Sequence, residues 1–199
     1  MKLLLASDLH CDREAAHGLV RQSAAVDVVV IAGDFGNARR GLAHCLEILQ
    51  AIDRPTVVVA GNNESTAELQ QACASWPPAV VLHGTGSEID GVPFFGLGGG
   101  IPVTPFGSWS YDFSEEEATA LLRDCPRGGV LVSHSPPQGV LDQSSRGTSL
   151  GSRAVRQAIL DRQPRLVVCG HIHASSGRQE RLGETLVVNA GPAGLVVTL

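Results

Sequence analysis

Ionisable and amide side chains stand directly after five separate apolar runs of this 199-residue sequence. The motifs at these positions are Asp8-Leu9-His10, Gly33-Asp34, Gly61-Asn62-Asn63-Glu64, Ser133-His134 and Gly170-His171-Ile172-His173. Carboxylate and amide oxygens and imidazole nitrogens are ligand atoms that divalent metal ions take in proteins. The candidate ligands are Asp8, His10, Asp34, Asn62, His134, His171 and His173. Metal-dependent chemistry is therefore the first hypothesis for this chain.

The set contains more ligands than one ion needs. If one carboxylate is shared, the seven side chains divide into two groups of four and leave positions open for water, as in hydrolytic sites whose two ions lie about 3.5–4 Å apart. Two such ions with two carboxylates and one hydroxide carry a net charge of about +1, which attracts phosphate. Oxygen and nitrogen ligands without thiolate favour Mn, Fe or Zn over Ca or Cu(I), and the spacing does not choose among the three. Phosphate-ester hydrolysis is the reaction that this site suits.

Short apolar runs predict strands at 2–6, 26–32, 56–60, 130–132, 166–169 and 186–188. Their near-continuous apolarity is typical of strands that are buried on both faces. Helix-like segments at 13–22, 38–52 and 67–74 alternate with the first three strands, which predicts a parallel sheet with right-handed crossovers. Ligands of open α/β sheets bind beyond the carboxyl ends of the strands, so side chains as distant in sequence as Asp8 and His173 can meet there.

The rest of the chain shows other patterns. Ser65 with Glu68 and Ser114 with Glu117 have the form of capping boxes, and Ser152 precedes a helical pattern at 153–160. Segments 79–100 and 177–199 are broken by glycine every few residues, which predicts hairpins that add antiparallel strands. The loop 98–113 holds four of the eight aromatic residues: Phe106, Trp109, Tyr111 and Phe113.

Composition limits the class of protein. A chain of 199 residues with 43% hydrophobic and 18% charged residues can bury one core, so we expect a single domain over 1–199. The net charge is −5 and the sequence contains no block of basic residues, so it shows no nucleic-acid footprint. No apolar run reaches the ~20 residues of a membrane span, and the apolar N-terminal stretch lacks a cleavage site. Five scattered cysteines indicate a reducing compartment, so we expect a soluble cytoplasmic protein.

The ordered motifs D-x-H, G-D, G-N-x-E, S-H and G-H-x-H, from Asp8 to His173, resemble the calcineurin-like metallophosphoesterase family. The resemblance implies an α/β fold, a four-layer α/β-β/α sandwich with mixed sheets, and a dinuclear centre. It implies a phosphoric ester hydrolase with a metal-bound hydroxide as nucleophile. Two divalent metal ions are expected, with Mn as the first candidate and Fe or Zn as alternatives. Carried over by position, the first ion falls to Asp8, His10, Asp34 and His173. The second falls to Asn62, His134 and His171, with Asp34 bridging.

One position departs from the family pattern. Members with phosphomonoesterase activity usually carry histidine after the Asn of G-N-x-E, where its implied role is to protonate the leaving oxygen; this chain carries Asn63. An amide donates a hydrogen bond but delivers no proton, and general-acid catalysis typically contributes about 10²–10⁴-fold. Asn63 is therefore the candidate catalytic residue, and we expect phosphodiesters to be preferred over alkyl phosphomonoesters.

Other interpretations stay open. Each candidate ligand taken alone could be a turn, cap or packing residue; the whole set at five strand ends argues against that interpretation. A scaffold that keeps the fold without turnover is the alternative function, because the family this chain resembles includes such a retromer subunit. Glu64 either orients a ligand or is an acid favoured by the helix dipole.

The substrate itself is not predicted. Phe106, Trp109 and Tyr111 either stack a nucleobase, which would make the phosphate-ester substrate a nucleotide, or pin their loop to the core. Arg146 and Arg178 either grip a second phosphate or are solvated surface charges. The oligomeric state stays open.

Overall fold

Two β-sheets stack face to face in the computed structural model, which describes residues 1–199. The first sheet contains, in spatial order, Leu195–Thr198 (β11), Lys2–Ala6 (β1), Val28–Ile31 (β2), Thr56–Val58 (β3) and Ala79–Val81 (β4). The second contains Thr85–Ile89 (β5), Val92–Leu97 (β6), Val130–Ser133 (β7), Leu166–Cys169 (β8), Thr185–Asn189 (β10) and Gln179–Leu182 (β9). The helices are Arg13–Ser23 (α1), Leu42–Leu49 (α2), Thr66–Cys73 (α3), Glu115–Leu121 (α4) and Arg153–Arg162 (α5), with a 3-10 turn at His173–Ser175.

Successive side chains of each strand point to opposite faces of the sheet, and this alternation creates the layers. In β1, Leu4 faces one way and packs in a core cluster with Leu19 of α1, while Leu3 and Leu5 face the other way. Leu3 and Leu5 pack in a central cluster with Val130 and other residues of the second sheet. A third cluster joins the outer face of that sheet to α4 and α5. Helices therefore cover both outer faces, and the four-layer α/β-β/α sandwich with mixed sheets is confirmed.

Strand direction places the loops. Strands β1, β2, β3 and β4 run parallel, as do β6, β7, β8 and β10. The edge strands β5, β9 and β11 are antiparallel to their neighbours. Hairpins β5–β6 and β9–β10 confirm part of the expected antiparallel structure. The expectation was wrong for β4, because α3 crosses over and returns the chain parallel to β3.

Helix α2 is shorter than predicted. It begins at Leu42 rather than at residue 38, because Ala38, Arg39 and Gly41 have φ angles of 46°, 66° and 80°, in the left-handed region. The backbone N–H of Ala38 donates to Asn63 Oδ1 at 2.7 Å. The segment before α2 is therefore tied to the loop after β3 and cannot join the helix.

The predicted caps are present. Ser65 and Glu68 form a reciprocal capping box at α3, and Ser114 and Glu117 form another at α4. Helix α3 therefore starts directly after the Asn62-Asn63-Glu64 segment, whose direction it helps to fix. None of the five α-helices has the length and apolar composition that a membrane-spanning helix needs.

Substituting Ser65 by alanine is expected to lower the free energy of unfolding by about 1 kcal/mol, because the Glu68 backbone N–H loses its acceptor. Urea denaturation of the purified protein measures the change. Ser145→Ala, at an exposed loop position, is the control and should leave the midpoint unchanged. Equal stabilities of the two variants would contradict the capping role.

Candidate metal centre

The structure brings the seven candidate ligands together where the carboxyl ends of both sheets meet. Asp8, Asp34 and Asn62 lie in the loops that follow β1, β2 and β3 of the first sheet. His134 directly follows β7 of the second sheet, and His171 and His173 follow β8. His10 lies in the same loop as Asp8. One rim shared by two sheets therefore carries every residue of the set.

Short distances connect the members. Ligand atoms of Asp8, His10 and His173 lie within 4.8 Å of one another, as do those of Asp8, Asp34 and His134. Asp34 Oδ2 lies 3.6 Å from His10 Nε2 and 3.5 Å from His134 Nε2. Asp8 and Asp34 thus each lie near His10, a ligand expected for the first ion, and near His134, a ligand expected for the second. The family pattern pointed to Asp34 alone as the shared ligand.

The amide oxygen of Asn62 completes the arrangement. Asn62 Oδ1 lies 3.1 Å from His171 Nδ1 and 3.4 Å from His134 Nε2. The oxygen therefore faces the two imidazoles with which the family pattern groups Asn62.

Two histidines are held in the orientation that metal ligation requires. His134 Nδ1 lies 2.7 Å from the carbonyl oxygen of Ala32, and His10 Nδ1 lies 3.2 Å from that of Gly36. A carbonyl oxygen only accepts, so each Nδ1 carries a proton, and each Nε2 faces the carboxylates, where a bound ion would take its lone pair.

The donor set fits divalent ions. His10 Nε2 and His173 Nε2 are 3.0 Å apart, and metal–nitrogen bonds of about 2.0–2.1 Å place two nitrogen ligands of one ion at about that separation. Carboxylates, imidazoles and one amide oxygen converge without a neighbouring lysine or arginine to neutralise the acids. A bound divalent cation would offset the repulsion between these acids.

Burial changes across the site. The His134 side chain is fully buried, Asp34 is 2% exposed, and the His173 side chain is 63% exposed. The site is therefore open to solvent on the side of His173.

The charge states follow from this gradient and from the neighbouring carboxylates. Burial opposes ionisation of Asp34, but the His134 imidazole and hydrogen bonds from Asn63 outweigh it and hold the pKa below its ordinary value. Burial also opposes charging of His134, but Asp34 and Asp8 raise its pKa. Burial, aided by His134, lowers the pKa of His171 to about 4, so this imidazole stays neutral.

Four candidate ligands have unusual backbone angles. The φ angles of Asp8, His10, Asp34 and His171 are 56°, 45°, 59° and 65°. Non-glycine residues adopt this left-handed region at an energetic cost and persist there only when the surroundings hold them. One restraint is visible here: the His171 N–H donates to Asp8 Oδ1 at 2.9 Å and joins the loops of the two sheets.

Asn63 and Glu64 fix the loop that carries Asp34. Asn63 donates from Nδ2 to Asp34 Oδ2 at 2.7 Å and from its backbone N–H to Oδ1 at 2.9 Å. The buried Glu64 carboxylate accepts from the backbone N–H groups of Asp34, Gly36 and Gly61. Its own pKa is raised by burial and by Asp34. Of its two interpretations, the geometry supports the one in which Glu64 orients a ligand loop.

Sequence reasoning missed two supporting residues. Asn189 donates from Nδ2 to the carbonyls of Gly170 and Ile172, which flank His171. It ends β10 as the predicted ligands end their strands, so the same strand-end signal could have found it. Ser110 accepts from Asn62 Nδ2 at 3.0 Å, and no local pattern in the sequence marks it.

A cavity of about 300 Å³ opens beside the cluster. Its lining consists of His10, Asp34, Asn62, Asn63, Phe106, Trp109, Leu150, His171, Ile172 and His173. No lysine or arginine lines it, and the Arg146 and Arg178 side chains are exposed.

The aromatic loop divides into two parts. Phe106 and Trp109 are 52% and 36% exposed, and their rings stack with centroids 5.7 Å apart. Tyr111 instead packs edge-on against Phe113 and donates its hydroxyl to Thr66. Tyr111 therefore pins the loop, whereas Phe106 and Trp109 form an aromatic wall at the cavity.

Comparisons with known proteins agree with this architecture. The sequence profile described as calcineurin-like phosphoesterase superfamily domain matches residues 1–198. UPF0046 protein K07C11.7 of Caenorhabditis elegans is 28% identical over 210 aligned residues, which cover 96% of this chain and 69% of that protein.

Two solved structures share the fold. The protein TT1561 of Thermus thermophilus superposes with a TM-score of 0.78 at 22% identity, over 96% of this chain and 90% of that one. A dimetal phosphatase from Danio rerio superposes with a TM-score of 0.61 at 13% identity, over 97% and 88%. Identities this low establish the fold alone.

Gly61→Ala is expected to weaken Mn²⁺ binding at least tenfold and to lower the free energy of unfolding by about 1–3 kcal/mol. A Cβ on Gly61 would overlap the carboxylate and backbone nitrogen of Asp34. Calorimetric Mn²⁺ titration and urea denaturation measure the two effects.

Gly18→Ala is the matched control, since a Cβ at this helical position meets nothing closer than 3.8 Å. It should bind Mn²⁺ like wild type and be slightly more stable. Wild-type Mn²⁺ affinity in Gly61→Ala would show that the close approach of the two loops does not position Asp34.

Proposed function

Because this chain belongs to the calcineurin-like phosphoesterase superfamily, we propose that it is a phosphodiesterase that uses two divalent metal ions. The ions would be held by the seven converging side chains, with Mn as the expected metal and Fe or Zn as alternatives. The residues that would hold them are Asp8, His10, Asp34, Asn62, His134, His171 and His173. The whole of residues 1–199 would act as one catalytic domain.

One observation carries the proposal. His10 and His134 each turn Nε2 toward Asp34, with Nδ1 fixed by a backbone carbonyl. This orientation needs loops from both sheets and has no role in packing the core. When bound, the ions would supply Lewis acidity toward phosphoryl oxygens and would lower the pKa of a water ligand.

Asn63 supports the preference for diesters. Its Nδ2 donates to Asp34 and its Oδ1 accepts from Ala38, so both ends of the amide are already engaged. The remaining polar residues that line the cavity are candidate ligands, and none is a lysine, tyrosine or glutamic acid that could protonate an alkoxide. A leaving group that departs without a proton, such as an aryloxide, suits this environment.

The charge of the cavity supports the same preference. A phosphate monoester is largely a dianion at neutral pH, whereas a diester is a monoanion. The absence of lysine and arginine from the lining leaves only the proposed ions to offset the second negative charge. The cavity therefore suits a substrate with one phosphate group and a single negative charge.

The aromatic wall supports a finer proposal for the substrate. Phe106 and Trp109 line the same cavity as His10 and His173, and both side chains are partly exposed. Base–aromatic stacking contributes about 1–3 kcal/mol per base. A nucleotide diester whose base contacts this wall while its phosphate reaches the metal ligands fits the arrangement.

Mn²⁺-loaded protein is expected to hydrolyse an aryl phosphodiester at least tenfold more efficiently than an alkyl phosphomonoester, measured as kcat/KM. Chelation and Asp34→Asn should each remove the activity. Asn63→His adds a group that can transfer a proton, so it should reduce the ratio of kcat/KM for the diester to kcat/KM for the monoester. A faster reaction with the alkyl monoester would overturn the diester preference.

The same assay separates the enzyme from a silent scaffold. A protein that binds Mn²⁺ but hydrolyses no ester in either class would support the scaffold interpretation.

Trp109→Ala is expected to raise KM for a cyclic nucleotide about 5- to 150-fold, because one stacking contact of about 1–3 kcal/mol is lost. KM for a small aryl diester should change little. Val103→Ala, at another exposed apolar position of the loop, is the control. Equal changes for both substrates would argue against base stacking.

A further inference from the structure

The amide of Asn62 has two chemically different ends, and only one of them can ligate a metal. The oxygen Oδ1 has lone pairs, whereas the Nδ2 group only donates hydrogen bonds. A carboxylate in this position would ligate in either orientation. An asparagine ligand therefore needs a neighbour that decides which end faces the metal site.

Ser110 is that neighbour. Its Oγ lies 3.0 Å from Asn62 Nδ2 and 2.8 Å from Asp112 Oδ1. Thr104 Oγ1 also lies 3.0 Å from Ser110 Oγ, but its own proton goes to Asp112 Oδ2 at 2.6 Å. The ionised Asp112 carboxylate only accepts and is the closer acceptor, so the one proton of Ser110 goes to Asp112. Ser110 Oγ then has only lone pairs to offer Asn62, and the Nδ2 end of the amide must face it.

Asp112 is itself held in place. Thr104 donates to Asp112 Oδ2 from its hydroxyl at 2.6 Å and from its backbone N–H at 3.0 Å. The adjacent backbone is also fixed, since the N–H of Tyr111 donates to the carbonyl of Asn62 at 2.9 Å. These bonds fasten the loop 98–113 to the segment after β3.

We propose that the chain Asp112–Ser110–Asn62 selects the metal-binding orientation of the Asn62 amide, with Ser110 and Asp112 as positioning residues. This inference rests on the proposed two-metal function. With Nδ2 bound to Ser110, Oδ1 faces His171 Nδ1 and His134 Nε2, the two imidazoles expected to share its ion. The loop that bears the aromatic wall thereby also sets one metal ligand.

Mn²⁺ titration of the metal-free protein, by calorimetry and by electron paramagnetic resonance, tests the proposal without reference to turnover. Ser110→Ala is expected to weaken one of the two Mn²⁺ sites about 10–100-fold and to leave the other unchanged, which is the usual effect of losing a partner that orients a ligand. The resonance signature of a coupled Mn²⁺ pair should then appear only at higher Mn²⁺ concentration. Ser108→Ala, an exposed serine of the same loop, should match wild type.

Asp112→Asn gives an isosteric check. An amide at position 112 can donate to Ser110, which frees the Ser110 proton to point at Asn62 and favours the wrong end of its amide. Asp112→Asn should therefore also weaken one Mn²⁺ site. The single variant Ser110→Thr keeps the hydroxyl and should retain the Mn²⁺ affinity of wild type.

Asn62→Asp separates orientation from simple structural support. A carboxylate has two equivalent oxygens, so adding Ser110→Ala in this background should change Mn²⁺ affinity by less than about threefold. An equal loss in both backgrounds would overturn the orienting role, and so would wild-type binding in Ser110→Ala. Wild-type protein that binds fewer than two Mn²⁺ ions would overturn the proposed function together with this inference.

Discussion

The hydrogen bonds around the Asp34 carboxylate are the constraint on which the site depends. Asn63 donates to both carboxylate oxygens, and Glu64 holds the backbone N–H of Asp34 itself. Gly61 leaves room for that carboxylate, because any Cβ there would overlap it. The loops after β2 and β3 thus form one structural unit. His10 and His134 face the Asp34 carboxylate, whose orientation these hydrogen bonds fix.

The same constraint explains which parts of the structure the sequence could predict. The strand positions and the convergence of ligands follow from the rule that parallel strands end at one rim, so Asp8 and His171 could be placed together without knowledge of the loops. The capping boxes at Ser65 and Ser114 are local patterns and were equally visible. Helix α2 was predicted to start four residues too early because the bond from Ala38 to Asn63 is a tertiary contact.

Side-chain roles were harder to predict than positions. The sequence marks Asn63 as a departure from the family pattern and leaves two interpretations for Glu64. Their bonds to Asp34 and to three backbone amides depend on loop geometry. Ser110 lies 48 positions from Asn62, in a loop where only the aromatic residues form a recognisable pattern. Hydrogen-bond partners at such distances follow from the folded backbone and not from local sequence.

The energetics of the cluster favour a cation-binding role over a purely structural one. Asp8, Asp34 and Glu64 bring three carboxyl groups into a mostly buried region, and burial of like charges is unfavourable. Four candidate ligands have left-handed backbone angles that non-glycine residues avoid. Hydrogen bonds with Asn63 and the backbone, together with the His134 imidazole, offset part of this cost, but no lysine or arginine pairs with these acids to add further positive charge. Divalent cations would supply that charge at the point where the carboxylates converge, so the folded state gains most from this arrangement when ions are bound.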